Sequence, residues 1–127
     1  MKSLMKNKIN DFLKDLRNIE YFPKIEFIIL YGSFLDKNYF EDSDIDICIY
    51  IKGDKQELAE IRLNLLKKFE NKFDLQIYQL LPIYVQVEIL KGEILYVKDQ
   101  SFLYDIAYQT IEEYEDFYPL YSDYINR

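Results

Sequence analysis

The feature that most constrains the fold is an alternating segment near the middle of the chain. From residue 45 to residue 51 every second residue is isoleucine, and the positions between and before them hold Asp44, Asp46, Cys48 and Tyr50. A period of two is typical of a β-strand, in which successive side chains point to opposite faces. The segment therefore predicts a strand over Ile45–Ile51 with one fully apolar face, and it places Asp44 and Asp46 together on the other face.

A second apolar segment lies upstream and ends at a glycine. Residues 27–31 are Phe, Ile, Ile, Leu and Tyr, which are apolar on both faces and indicate a buried central strand. Gly32 and Ser33 follow directly. A glycine lets the backbone turn without a Cβ clash, and the amides beyond it, with the Ser33 hydroxyl, can face an anion such as a phosphate.

The rest of the chain predicts helices and strands that alternate around these two segments. The first predicted elements are a helix over residues 4–19 on three- and four-residue apolar spacing, a helix capped by Asp54 and Glu57 that ends near residue 71, and a strand from Phe73 to residue 78 with Asp74 near its start. Residues 83–90 fit either a helix or a strand, and the helix is favoured. An edge strand over residues 94–97 and a helix capped by Ser101 that runs towards Pro119 follow. These elements predict a single α/β domain over residues 1–127, with a mixed β-sheet of about four strands flanked by helices.

Composition excludes several classes of chemistry. The chain has no histidine, so it cannot supply an imidazole base or a histidine metal ligand. Its net charge of −7 argues against a broad surface for direct nucleic-acid binding. A single cysteine excludes an internal disulfide, and no apolar run is long enough to cross a membrane or to form a signal peptide, so we expect a cytoplasmic protein.

Asp44 and Asp46 are the strongest candidates for metal ligands. Two carboxylates, two residues apart on one strand face, lie close enough to share divalent cations, and Mg²⁺ favours a few carboxylates together with substrate phosphate oxygens. A Gly-Ser pair or an Asp-x-Asp motif is common by itself. The combination is more specific: a buried strand, Gly32 and Ser33, ten residues, the two aspartates opening a strand, and Asp74 on a later strand.

This combination resembles the motif of the nucleotidyltransferase superfamily, and the size of the chain resembles the minimal nucleotidyltransferases that act as antitoxins in HEPN/MNT toxin–antitoxin pairs. The resemblance implies a nucleotidyltransferase-like mixed sheet. It implies that Gly32 and Ser33 hold the triphosphate of ATP. It further implies that Asp44 and Asp46 bind two Mg²⁺ ions, and that Asp74 completes one metal site and assists removal of the acceptor proton.

The implied reaction is transfer of AMP from ATP to a tyrosine hydroxyl of a partner HEPN ribonuclease toxin, which neutralises the toxin. The chain departs from the family at residues 34–37. Many minimal members carry an arginine directly after the Gly-Ser pair, whereas this chain has Phe34, with Lys37 as the nearest basic residue.

Two other hypotheses remain open from the sequence. A small-molecule nucleotidyltransferase of the aminoglycoside-modifying kind would need an added domain or a homodimer to enclose its acceptor. A non-catalytic antitoxin that acts by binding alone would be compatible with Phe34. The tyrosine-rich acidic tail over residues 114–127 either packs on the sheet or docks a basic partner.

Overall fold

The computed structural model of the chain describes residues 2–32, 45–69 and 73–125. In these parts the chain forms four helices and four strands, which confirms the predicted α/β class. In chain order they are α1 (Lys2–Arg17), β1 (Ile25–Tyr31), β2 (Ile45–Ile51), α2 (Lys55–Lys68), β3 (Phe73–Ile77), α3 (Ile83–Ile89), β4 (Glu93–Val97) and α4 (Gln100–Ile125), with short 3-10 turns at Phe22–Lys24 and Tyr78–Leu80.

The four strands form one mixed sheet in the order β3-β2-β1-β4. Strand β1 is antiparallel to both β2 and β4, whereas β2 and β3 are parallel. A parallel pair needs a crossover connection, and α2 supplies it. The sheet therefore has β4 at one edge, as the sequence predicts, and the parallel pair at the other.

The isoleucine face of β2 forms the centre of the main core. All four isoleucines of β2 are at most 2% exposed, and they pack with Phe12 and Leu16 of α1 and with Leu58 and Leu65 of α2. The opposite face of the sheet is covered by α3 and α4, where Phe27, Ile29 and Cys48 pack with Ile89 and Leu103. The sheet thus lies between two helical layers, and the even-numbered residues of β2 face α3 and α4.

Several predicted boundaries needed correction, each for a local reason. Helix α1 ends at Arg17 instead of residue 19, because Asn18 and Ile19 donate to carbonyls three residues back and close a tight turn. Helix α2 begins as predicted, with the Asp54 carboxylate accepting a hydrogen bond of 2.8 Å from the amide of Glu57, but it ends at Lys68, before residue 71. Strand β3 ends at Ile77, where a 3-10 turn begins. The predicted helix over residues 83–90 is confirmed as α3.

Helix α4 begins and ends differently from the prediction. Asp99, not Ser101, caps it: the Asp99 carboxylate accepts from the Ser101 amide at 3.0 Å and its carbonyl accepts from the Leu103 amide at 3.1 Å. The helix also continues past Pro119 to Ile125. A proline inside a helix removes one backbone hydrogen bond, but its fixed φ is close to the helical value, so a helix can continue through it at a cost.

Within the part of the chain that the structure describes, no helix combines the length and the apolar character needed to cross a lipid bilayer.

Candidate active site

Gly32, at the end of β1, allows a carboxylate to lie directly against the backbone. Its φ angle is +77°, a backbone conformation that costs free energy for residues other than glycine. A Cβ atom built on Gly32 would collide with Oδ2 of Asp46 and would lie only 3.0 Å from its Cγ. The glycine is therefore required twice, once for its backbone angle and once for the space that Asp46 occupies.

Asp46 and Asp74 face each other across the parallel strand pair. They are Cα partners in the β2–β3 register, so both project from the same face of the sheet on strands about 4.8 Å apart. This is the face on which Cys48 and Tyr50 also lie, next to α3 and α4. The register brings together two carboxylates that are 28 positions apart in the sequence.

Gln76 orients the carboxylate of Asp74. The two residues share one face of β3, and the Gln76 Nε2 atom donates a hydrogen bond of 3.1 Å to Oδ1 of Asp74. The amide fixes one carboxylate oxygen and so limits the rotation of the group. Gln76 was not among the predicted site residues, although its position two residues after Asp74 in an alternating strand places it on the same face.

Tyr31 extends the row of polar groups on the other side of Asp46. The register pairs it with Asp46 on the neighbouring antiparallel strand. Burial raises the pKa of the Tyr31 phenol, and it is raised further by Cys48, Asp46 and Asp74 in that order of effect. The hydroxyl therefore stays protonated near neutral pH. Tyr31 was not among the predicted site residues, because in the sequence it ends the apolar run of β1.

Cys48 lies on the same face but is a core residue. It is 0% exposed, and burial raises the pKa of its thiol above the ordinary value. A thiol that stays protonated is a poor nucleophile and a poor metal ligand. Cys48 is therefore a small core residue, and we assign it no chemical role.

The structure thus brings together three of the five predicted site residues: Gly32, Asp46 and Asp74. Ser33 and Asp44 lie outside the described residues, as do residues 34–37, where the chain departs from the family pattern. The donor set of Asp46 and Asp74 fits a hard divalent cation, because Mg²⁺ is bound in proteins by one or two carboxylates together with phosphate oxygens of the substrate. The described geometry suits a cation-assisted reaction of a phosphate ester.

The chain also matches a known family model over most of its length. Residues 7–101 match the model described as polymerase beta, nucleotidyltransferase, and the chain therefore belongs to this family. The matched range contains β1 to β4 and hence the whole described site.

Among individual proteins, the chain is similar to a Methanocaldococcus jannaschii protein named as a candidate protein adenylyltransferase. The two are 36% identical over 86 residues, which cover 68% of this chain and 66% of the relative. The chain spans about two thirds of the length of that relative.

Solved structures show the same fold. A chain from the complex of tri-AMPylated Shewanella oneidensis HEPN toxin with MNT antitoxin matches with a TM-score of 0.66 and 25% identity, and the match covers 99% of this chain and 97% of the other. A chain from a toxin–antitoxin complex with AMP-PNP matches with a TM-score of 0.68 and 25% identity, covering 94% of each chain.

Proposed function

We propose that this chain is a Mg²⁺-dependent protein adenylyltransferase that acts as an antitoxin. It transfers AMP from ATP to a tyrosine hydroxyl of a HEPN ribonuclease toxin, in the cytoplasm, where ATP and the toxin's RNA substrates are present. The observation that carries the proposal is the register that sets Asp46 beside Asp74 with Gly32 against the Asp46 carboxylate. Membership of the nucleotidyltransferase family and the similarity to an antitoxin chain solved with an AMPylated toxin support it.

In this proposal each site residue has a defined task. Gly32 and Ser33 hold the triphosphate of ATP, and Asp44, Asp46 and Asp74 hold two Mg²⁺ ions. When bound, these ions neutralise charge on the phosphates and lower the pKa of the acceptor hydroxyl. Gln76 keeps Asp74 oriented through its hydrogen bond.

The reaction forms one bond and breaks one bond at the α-phosphorus. The tyrosine oxygen of the acceptor bonds to the α-phosphorus of ATP, the bond from that phosphorus to the bridging oxygen breaks, and pyrophosphate leaves with the bond electrons. The proton that the tyrosine hydroxyl loses passes to solvent water, and Asp74 assists its removal. Such a reaction depends mainly on positioning and charge stabilisation, which explains how a chain without histidine could catalyse it.

The test is a transfer assay with the HEPN protein encoded beside this chain. The purified chain is incubated with that protein, Mg²⁺ and labelled ATP, and the products are analysed by intact mass and peptide mapping. We expect a mass gain of AMP on a tyrosine of the partner. Asp46→Asn and Asp74→Asn should abolish it, whereas Glu60→Gln, which changes an exposed carboxylate of α2, should leave it unchanged.

The outcomes separate the three hypotheses. Absence of modification with any nucleotide would refute the transferase assignment. Neutralisation of the toxin that survives Asp44→Asn combined with Asp46→Asn would favour an antitoxin that acts by binding alone. Transfer to an aminoglycoside, with none to the protein, would favour the small-molecule enzyme.

A further inference from the structure

Helix α4 carries an exposed apolar stripe on the side that faces away from the sheet. Tyr104, Tyr108 and Ile111 follow one another at spacings of four and three residues, and their side chains are 60%, 69% and 46% exposed. We call these three residues the α4 stripe. The inner side of the same helix is buried: Leu103 is 4% exposed and Thr110 is 5% exposed. The stripe is therefore apolar surface that packing on the sheet does not require.

The same helix carries an excess of negative charge. It contains no lysine or arginine, and its acidic residues are Asp105, Glu112, Glu113, Glu115 and Asp116, with Asp123 in the last turn. Glu112 lies three residues from Glu115 and four from Asp116, spacings at which like charges on a helix repel each other. The last turn has no basic residue to complement the helix dipole. A partner with basic side chains would relieve both effects.

The second half of α4 is less covered than the first. Phe117 lies seven residues after Thr110, which places it on the same side of the helix, yet Phe117 is 51% exposed. The inner side of α4 is thus covered by the domain at Thr110 and is half uncovered two turns later. An aromatic side chain at such a position adds to the apolar surface that a partner could cover.

The helix lies on the side of the sheet that carries the site. Asp46 and Asp74 project from the face that α3 and α4 cover. The ring of Phe102 in α4 packs edge to face on Tyr50 of β2, with centroids 5.2 Å apart. Tyr50 is four residues from Asp46 on the same face, which corresponds to about 13 Å along the strand. A protein that binds α4 is therefore within reach of the carboxylates.

The family match and the structural match differ in whether they include helix α4. The general nucleotidyltransferase model ends at residue 101, where α4 begins. The match to the antitoxin chain solved with its toxin covers 99% of this chain and so includes the helix. This chain therefore shares α4 with a chain that was solved with a protein partner. Almost all of α4 lies outside the residues that match the general nucleotidyltransferase model.

We propose that the α4 stripe, with its acidic border, is the docking surface for the acceptor protein, and that the acceptor presents an apolar groove edged by lysine and arginine. This inference rests on the proposed function, because the occupant is the protein that receives AMP. A second copy of this chain would bring α4 against α4 and add like charges. Nucleic acid is itself anionic and would be repelled by this surface.

The test measures binding without turnover. In an Asp46→Asn background, the affinity for the HEPN protein encoded beside this chain is measured by calorimetry. We expect Tyr104→Ala combined with Tyr108→Ala to weaken binding by about tenfold or more, since exposed tyrosines at an interface centre are frequent binding hot spots. Leu63→Ala is the matched control, because Leu63 is 59% exposed on α2, on the opposite side of the sheet.

The acidic border of the stripe is tested by the salt dependence of binding. Dissociation constants at increasing salt should rise for the parent chain, and Glu112→Gln combined with Glu115→Gln should flatten that rise. Affinity that is independent of salt would refute the basic edge of the partner. Equal affinity of the α4 double variant and the Leu63→Ala control would refute the docking surface, and so would failure of the parent chain to bind the partner at all.

The docking surface and the proposed function can fail separately. If the chain binds through α4 but transfers no AMP, the docking surface stands and the transferase assignment fails. If AMP transfer to the partner proceeds in the α4 double variant with an unchanged KM for the partner, the docking surface fails and the transferase assignment stands. Circular dichroism melts and ATP affinity, both expected to equal those of the parent chain, establish that the double variant is folded with an intact site.

Discussion

Replacing Gly32 by alanine tests the geometry of the site through a single methyl group. The new Cβ would collide with Oδ2 of Asp46 and would lie 3.0 Å from Cγ and 3.2 Å from Cβ of the same residue. Carbon atoms in favourable contact are about 3.5 Å apart or more, so the Asp46 side chain has to retreat by about 0.5 Å, and its oxygen by more. The variant therefore moves a predicted metal ligand without removing it.

Two effects of Gly32→Ala can be estimated separately. A φ of +77° costs a residue with a Cβ about 1–2 kcal/mol, which in a chain of this size corresponds to about 4 to 8 °C in Tm. Displacement of a reacting group by about 1 Å can reduce a rate by about 100-fold. We expect kcat/KM for AMP transfer to fall by about that factor, while the chain remains folded at room temperature.

The assay pairs AMP transfer kinetics with thermal melting, and Gly53→Ala is the control. A Cβ at Gly53 would meet the Glu57 side chain, with Oε1 at 2.7 Å, but that side chain is flexible, partly exposed and remote from Asp46. Gly53 also lacks the positive φ of Gly32. If Gly32→Ala keeps the activity and Tm of the parent chain, or if Gly53→Ala loses as much activity, the inferred contact between Gly32 and Asp46 is wrong.

Three further predictions follow from the groups around the site and the second core. Gln76→Leu removes the hydrogen bond to Asp74, and we expect about tenfold weaker apparent Mg²⁺ affinity in the transfer assay with little change in Tm; unchanged affinity would mean that this bond does not orient Asp74. Iodoacetamide should not label Cys48 in the native chain but should label it in urea, because burial raises the pKa of the thiol; rapid native labelling would contradict its place in the core. Burial raises the pKa of Tyr78 from 10.0 to about 12. The folded state therefore keeps this proton more tightly than the unfolded state, and the resulting stabilisation is complete below pH 10 and is lost as the pH rises towards 12. The free energy of unfolding in urea should therefore fall by about 1.4 kcal/mol per pH unit in this window, and Tyr78→Phe should remove this share of the dependence.

The parts of the fold that local patterns determine were predictable from the sequence. The bounds of β2 are those that the alternating isoleucines predict. A shift of one residue would turn all the isoleucines to the other face of the sheet, so burial of one face fixes the strand. The start of α2 was predictable for a similar reason, since Asp54 caps it locally through the Glu57 amide. Neither feature depends on a distant part of the chain.

The parts that depend on distant contacts were not predictable. Strand β1 begins at Ile25, before the predicted residue 27, because Ile25 pairs with Ile51 of the distant strand β2. Glu26 lies inside this added segment, where it is only 3% exposed and its carboxylate pairs with Lys52 at 3.2 Å. A glutamate in a strand does not by itself indicate burial. In the same way, the sequence predicts that Asp46 and Asp74 lie on strands, but only the parallel register makes them neighbours.

The position of β3 has a consequence for how the site could open and close. In the described sheet β3 is an edge strand bonded to β2, and one of the two described carboxylates lies on it. Detachment of this edge would separate Asp74 from Asp46 while the pairing of β1 with β2 and β4 stayed intact, so the site can be lost by local unfolding alone. A nucleotide held by both carboxylates would oppose that opening. Hydrogen exchange should then show slower exchange at the amides of β3 when ATP and Mg²⁺ are present, with little change in β1.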